Sequence, residues 1–115
     1  MPEASESSLP RFCALAYGAQ GLGRPAPVFL IVLRDARGDL RFLVDPGWTT
    51  VVQAEDVEYL GSLLRDFLER AKEQPAALFK QLSSLAVGPL VTEATGGNIA
   101  EHPDLQELSS PFVQL

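Results

Sequence analysis

The side chains that could act as nucleophiles lack the partners that nucleophilic catalysis requires. A serine or cysteine nucleophile needs a nearby base, usually a histidine that a third group orients. The only histidine is His102, in a stretch without a regular pattern, and the only cysteine, Cys13, falls inside a predicted buried strand. Ser83 and Ser84 lie in a predicted amphipathic helix, outside any Gly-x-Ser-x-Gly motif. We therefore expect Cys13 to be structural and the protein to be non-catalytic.

Glu55, Asp56 and Glu58 form the densest group of carboxylates. Paired carboxylates can perform acid-base chemistry when their environments separate their pKa values, and carboxylate clusters can bind metals. These three lie where a helix is predicted to begin, and acidic side chains are stabilised there by the helix dipole. Because no histidine or second cluster accompanies them, we predict neither a catalytic site nor a metal site.

Two glycine-rich stretches invite comparison with nucleotide-binding loops. The loop 18–27 contains three glycines, but their spacing reverses the Gly-x-Gly-x-x-Gly order, and Pro25 follows where a helix would have to begin. Residues 96–98 (Gly-Gly-Asn) lack the lysine of a phosphate-binding loop. Both patterns predict turns or loops, and no cofactor is expected.

Size and charge narrow the classes of partner. The chain has 115 residues, 46% of them hydrophobic, which is typical of one globular domain. Its net charge is -6, and this disfavours nucleic acid or an anionic membrane as a partner. Residues 1–52 carry five basic and five acidic side chains, whereas residues 53–115 carry four basic and ten acidic ones. That second half either meets a basic partner or forms a solvated helix surface.

The same composition indicates a soluble cytoplasmic protein. A single cysteine cannot form an internal disulfide, which is consistent with a reducing compartment. The first 20 residues lack the basic start and apolar core of a signal peptide. The longest strongly apolar run, residues 28–33, is too short to cross a bilayer, which requires about 20 residues.

Three segments in the first half have strand patterns. Residues 11–18 are apolar on both faces of an extended chain, and Val28–Arg34 is a continuous apolar run typical of a central strand. The residues 35–38 (Asp-Ala-Arg-Gly) predict a type I turn whose glycine has a positive φ, leading in a hairpin to a strand at Leu40–Val44. Helices are expected on the face of that strand that carries Leu40, Phe42 and Val44.

Helical periodicity dominates the middle of the chain. An apolar stripe predicts one helix from about Ala54 to Glu73. The stripe comprises Val57, Leu60, Leu64, Phe67 and Ala71. Pro75 favours the first turn of a second helix, which Gly88 and Pro89 would end. Its buried side would hold Leu78, Phe79, Leu82 and Leu85. Residues 90–95 have β character and predict a fourth strand.

These elements predict an α+β fold, with a mostly antiparallel sheet in β-β-β-α-α-β order and the helices packed on one face. Residues 1–10 are predicted to be a disordered tail and residues 11–98 a single domain. Residues 99–115 are predicted to be an irregular tail with at most a helical turn at residues 104–108. This tail has three open courses: it packs on the domain, adds an edge strand, or pairs with a partner through its main chain.

Four apolar residues are candidates for partner contact. Trp48 follows the turn Asp45-Pro46-Gly47, which has a type II signature, and would either cap the core or anchor a partner. The other three are Phe112, Val113 and Leu115. The leading interpretation is a non-catalytic protein-binding or regulatory module, with a homodimer as one form.

Two alternatives remain open. In the first alternative, the protein is an acidic inhibitor, immunity protein or chaperone that masks a basic partner, because the negative charge of residues 53–115 would suit such a partner. Otherwise it is a small-molecule binding domain or an enzyme with a site between the loop 18–27 and the turn 45–48, where Arg24, Arg41 or Asp45 would act.

Overall fold

The computed structural model describes residues 11–18, 28–87 and 89–115. The predicted tail at residues 1–10 and nearly all of the loop 18–27, with Arg24, lie outside these stretches. The described elements are β1 (Phe12–Tyr17), β2 (Val28–Arg34), β3 (Leu40–Val44), α1 (Trp48–Val51), α2 (Ala54–Glu73), α3 (Pro75–Leu82), β4 (Ala86–Val87), β5 (Leu90–Gly96), a 3-10 turn (Ile99–Glu101), α4 (Pro103–Leu108) and β6 (Val113–Gln114).

The strands form one antiparallel sheet in the order β4-β5-β1-β2-β3-β6. The two most apolar strands, β1 and β2, occupy its centre, and every residue of β1 is buried. Burial of both faces explains why these strands read as unbroken apolar runs. The α+β class is confirmed. The predicted order lacked the two-residue strands β4 and β6, the short helix α1 and the 3-10 turn, and it gave α4 only as a helical turn.

The first face of the sheet is covered by α2 and α3. Alternate residues of β1, from Cys13 to Tyr17, belong to this core with Leu30 and Val32 of β2. The predicted helical stripes are confirmed, because buried residues recur along both helices. They are Leu60, Leu64 and Phe67 of α2 and Leu78, Phe79 and Leu82 of α3. The predicted face of β3 also packs into this core, with Phe42 and Val44 buried.

The second face is buried as well, although the two helices that the sequence predicts both pack on the first face. Phe12, Ala14, Ala16 and Ile31 are at most 1% exposed but stand outside the core of the first face. The chain after β5 crosses this second face. It begins with His102 against the ring of Phe12 and ends where β6 pairs with β3 at the far edge. The crossing segment contains α4.

Of the two turns predicted in the first half of the chain, one has the predicted type and the other does not. Gly38 has a φ of 90° and its amide donates to the carbonyl of Asp35, as the predicted type I turn requires. Gly47 instead has φ -99° and ψ 20°, so the predicted type II turn is wrong and the conformation fits type I. The amide of Gly47 donates to Oδ1 of Asp45, a local bond that stabilises this turn without a positive φ.

Two bulges adjust the sheet in ways that alternation does not reveal. The β1–β2 register skips Phe29, so Phe29 and Leu30 both join the first-face core although they are consecutive. The β1–β5 register skips Glu93, which is exposed. An extra residue in one strand shifts the faces of its neighbours and increases the local twist.

The segment 99–115 follows two of its three open courses, because it packs on the domain through His102 and adds an edge strand. The helical turn expected near residues 104–108 is α4, and β6 adds an edge strand to β3. The amide of Leu115 donates to the carbonyl of Phe42 and extends this pairing. Helix α3 ends earlier than predicted, at Leu82 instead of at Gly88 and Pro89. Among the described helices, none combines the length and apolar character needed to cross a bilayer.

Candidate functional site

The potential nucleophiles have structural surroundings. Cys13 is fully buried, and burial raises the pKa of its thiol to about 12, which keeps it protonated and unreactive at neutral pH. The hydroxyl of Ser83 donates to the carbonyl of Phe79 within the same helical turn. His102 packs its ring edge-on against Phe12, with the centroids 5.2 Å apart. None of these contacts prepares a nucleophile and base for catalysis.

The acidic group at the start of α2 is partly used in packing. The hydroxyl of Tyr17 donates to Oδ2 of Asp56 at 2.5 Å and accepts the amide of Gln53 at 3.2 Å. Burial and the bond to Asp56 raise the pKa of Tyr17. Glu55 and Glu58 are exposed. In the described stretches, no three His, Cys, Asp or Glu side chains converge as metal ligands.

The alternative site between the loop 18–27 and the turn 45–48 receives no support from the described residues. Arg24 lies outside them. Asp45 uses a carboxylate oxygen to hold its own turn. Arg41 is exposed on β3, four positions before Asp45, so strand geometry separates their α-carbons by about 13 Å. The structure does not bring these two residues together.

A shallow cleft of about 310 Å³ lies at the end of the sheet where β1 begins. Arg11 and Arg34 contribute to its lining, together with residues 97–99. The guanidinium of Arg34 stands 5.7 Å from the ring centroid of Phe79, and its Nε is buried without a hydrogen-bond partner in the described structure. Arg34 thus packs against the helical layer, and its buried Nε is inaccessible to a ligand in the cleft.

Trp48 performs the core-capping role that was one of its two predicted possibilities. Its ring lies 6.0 Å from that of Phe29, and it packs against the first-face core while remaining partly exposed. On the other side it approaches Gly61 of α2, where a β-carbon would lie 4.0 Å from Cη2. Contact with a partner through the exposed part of Trp48 stays a prediction.

The other three candidates lie together at the β6 edge. Val113 is 49% exposed and Leu115 is 43% exposed, whereas Phe112 is partly buried. Val113 and Leu115 pair with Val44 and Phe42, so both lie on the first-face side of the strand. Since backbone groups alternate along an antiparallel strand, the amide and carbonyl of Gln114 point away from β3. The edge therefore presents apolar side chains beside an outward-facing peptide group.

No protein-family model matches the chain, and neither a curated protein nor a solved structure matches it.

The β4/β5 edge, at the other end of the sheet, has a different character. Strand β4 pairs only with Leu90 and Val91, so residues 93–96 have no strand on their outer side within the described chain. Glu93 and Thr95 are exposed there. A cleft of about 280 Å³ beside them is lined by Ser83, Ser84 and Thr92 among others. The uncovered part of β5 is polar and the bulge at Glu93 twists it, both of which discourage pairing with another chain, although β4 itself exposes Ala86 and Val87.

One apolar residue near the β6 edge was not a candidate in the sequence. Leu108, in the last turn of α4, is 45% exposed. The amide of Phe112 donates to the carbonyl of Ser109, a tight reversal that keeps the end of α4 close to β6. Two leucines, Leu105 and Leu108, in a helix of six residues give no clear periodic signal, because such a signal requires several turns.

Proposed function

We propose that this protein is a non-catalytic protein-binding module and that it binds its partner through the β6 edge. The observation that carries the proposal is the exposure of Val113 and Leu115 on an outermost strand. Unpaired strand edges with apolar side chains are templates for strand addition by another chain. A homodimer, in which two copies pair at this edge, is one form of the same function.

The contrast between the edges supports the choice of β6. The β4/β5 edge carries Glu93, Thr95 and a bulge, which protect it from pairing. Neither outermost strand has a charged residue, but Val113 of β6 is 49% exposed against 36% for Val87 of β4, and a tight reversal joins β6 to the exposed Leu108. The structural contacts of Cys13, Asp45 and Asp56 also favour binding over catalysis, because each is engaged in holding the fold.

The test places one lysine on each edge. A charged side chain on an edge strand opposes pairing, so Val113→Lys should abolish recovery of the specific partner from native extract, while Thr95→Lys should leave recovery unchanged. Both positions are exposed, so both variants should fold. Two differently tagged copies of the protein, expressed together, report self-association by the same comparison.

Three results are informative. Loss of a recovered protein, or of the second tagged copy, in Val113→Lys alone supports binding at β6. Equal recovery by both lysine variants contradicts it. Loss in Thr95→Lys alone moves the site to the opposite edge and also overturns the proposal. Circular dichroism of each variant confirms that the comparison is made between folded proteins.

A further inference from the structure

The last 35 residues, which include the segment that leads to β6, carry charge of one sign. No lysine or arginine follows Lys80, whereas residues 81–115 include Glu93, Glu101, Asp104 and Glu107. All four carboxylates belong to exposed residues. Three of them lie in the segment that crosses the second face on its way to β6. A partner that docks at this edge therefore meets a surface of uniform negative charge on the crossing segment.

The acidic and apolar groups lie on opposite sides of the edge strand. Val113 and Leu115 are on the first-face side, whereas α4 directly follows His102, which packs against Phe12 on the second face. Asp104 and Glu107 are three residues apart and so share one side of α4. The reversal at residues 109–112 keeps this helix next to β6.

From this placement we infer that the partner is an extended segment in which apolar and basic residues alternate. A strand added beside β6 projects successive side chains to opposite faces of the sheet. Its apolar side chains would lie beside Val113 and Leu115, and its lysines or arginines would lie on the second face, towards Asp104 and Glu107. This inference rests on the proposed function and assigns the chemistry of the partner.

One basic residue of the protein limits where the charges can fall. Arg41 is exposed and lies on the second face, near the first residue of β3, whereas Val44 is the last residue of that strand. A basic side chain of the partner is therefore expected beside Phe112 and Gln114, where the chain pairs with the Val44 end of β3. Beyond Leu115 a basic side chain is disfavoured, because it would approach Arg41. Opposite charges across an interface mainly set specificity and the rate of association.

The experiment titrates the full chain with synthetic peptides of about eight residues, which is a normal strand length. One peptide alternates valine with lysine, a second alternates valine with glutamate, and a third alternates threonine with lysine. Backbone amide shifts in nuclear magnetic resonance locate each contact. We expect the valine-lysine peptide to shift Val113, Gln114 and Leu115 and to bind roughly tenfold or more tightly than the other two.

Matched variants separate the two kinds of contact. Asp104→Asn combined with Glu107→Gln should weaken the valine-lysine peptide by about fivefold or more, whereas Glu93→Gln, a neutralised carboxylate on the opposite edge, should leave affinity unchanged. Raising the salt concentration should reproduce most of the loss, because exposed charges are screened. Val113→Lys should remove binding altogether.

The remaining outcomes overturn the inference in distinguishable ways. Equal binding of the valine-lysine and valine-glutamate peptides at β6 rejects the basic partner but leaves strand addition intact. Binding of the threonine-lysine peptide as tightly as the valine-lysine peptide, unaffected by Val113→Lys, shows non-specific charge attraction and rejects the inference. If no peptide shifts β6 while partner recovery still depends on Val113, the partner's chemistry is different and the proposed function survives. If recovery is also independent of Val113, both fail.

Discussion

The two edges of this sheet differ in how they are protected from pairing with another chain. Residues 93–96 of β5 lack a strand on their outer side in the described structure, but the edge is fixed by internal contacts and guarded by Glu93 and a bulge. Strand β6 is only two residues long and leaves Val113 and Leu115 nearly half exposed. The two edges therefore differ in how much of their apolar side chains they expose, and not in being free.

Internal packing makes the β5 edge a structural element. Gly96 lies under Phe12 and His102, and Thr92 ties the strand to the end of α3. Among the described residues no comparable contact is seen for the side chains of Val113 and Leu115, which are nearly half exposed and lie outside the first-face core. Substitutions of Gly96 and Thr92 on the β5 edge should therefore change stability, whereas substitutions on the β6 edge should change binding.

The largest loss of stability is expected from Gly96→Ala. A β-carbon at Gly96 would lie 2.6 Å from Cε1 of Phe12 and 2.9 Å from Nε2 of His102, so packed rings must shift. We expect the free energy of unfolding to fall by about 2–3 kcal/mol in a denaturant titration. Gly97→Ala is the control, because nothing lies within 4 Å of its added methyl group. Equal losses in the two variants would show that Gly96 is not closely packed.

A somewhat smaller loss is expected from Thr92→Val. The hydroxyl of Thr92 accepts the amide of Leu85 at 2.6 Å and donates to the carbonyl of Leu82 at 2.7 Å. Removing it leaves two backbone groups unsatisfied and should cost about 1–2 kcal/mol in thermal or chemical unfolding. Thr95→Val, on the exposed part of the same strand, should change stability by less than about 0.5 kcal/mol. If Thr92→Val leaves the free energy of unfolding as unchanged as Thr95→Val does, the hydroxyl of Thr92 does not stabilise the β5 edge.

The central strand between the edges should limit stability at alkaline pH. The raised pKa values of Cys13 and Tyr17 mean that folding favours their protonated forms. Their contribution is complete below the unfolded pKa values and is lost as pH rises, between 9 and about 12 for Cys13 and from about 10 upwards for Tyr17.

The variant that tests this effect is Tyr17→Phe, compared with Tyr59→Phe on the exposed side of α2. Loss of the Tyr17 hydroxyl removes its bonds to Asp56 and Gln53 and should cost about 1 kcal/mol at neutral pH. It should also make the decline of stability above about pH 10 less steep. Unfolding titrations from pH 7 to 11 measure both quantities. A wild-type slope retained in Tyr17→Phe would contradict the assignment to this hydroxyl.

The smallest change in stability is expected from Val113→Lys. Since this side chain is half exposed, its replacement should alter the free energy of unfolding by less than about 0.5 kcal/mol. Differential scanning calorimetry beside wild type is sufficient to detect a larger change. A loss above about 1 kcal/mol would show that Val113 contributes to the core and would blur the distinction between the two edges.

Strong periodicity made the central elements predictable from sequence. Helix α2 has the predicted bounds, Ala54–Glu73, because five apolar positions in succession keep the helical spacing. Strand β2 was predicted equally well, since apolar runs flanked by turn residues have few alternatives. The Asp66–Arg70 pair on the surface of α2, 3.6 Å apart, also follows from spacing alone.

Features decided by tertiary contacts were not predictable. The bulge at Phe29 depends on which residues β1 offers as partners, and the conformation of Gly47 depends on a bond from its own amide to Asp45. Strand β6 is too short for any alternation to appear, so only the pairing with β3 defines it. Val113 and Leu115 could be selected as unexplained apolar residues, but their position at an edge required the structure.

Photo-crosslinking along both edges tests the central claim most directly. A benzoylphenylalanine placed at Val113 or Leu115, in the full chain and in native extract, should form covalent adducts with a specific partner or with a second copy. The same group at Ala86 or Thr95, exposed residues of the opposite edge, should form none. Adducts confined to Val113 and Leu115 are the predicted result. Adducts confined to Ala86 or Thr95, or an absence of adducts at Val113 and Leu115, would contradict binding through β6.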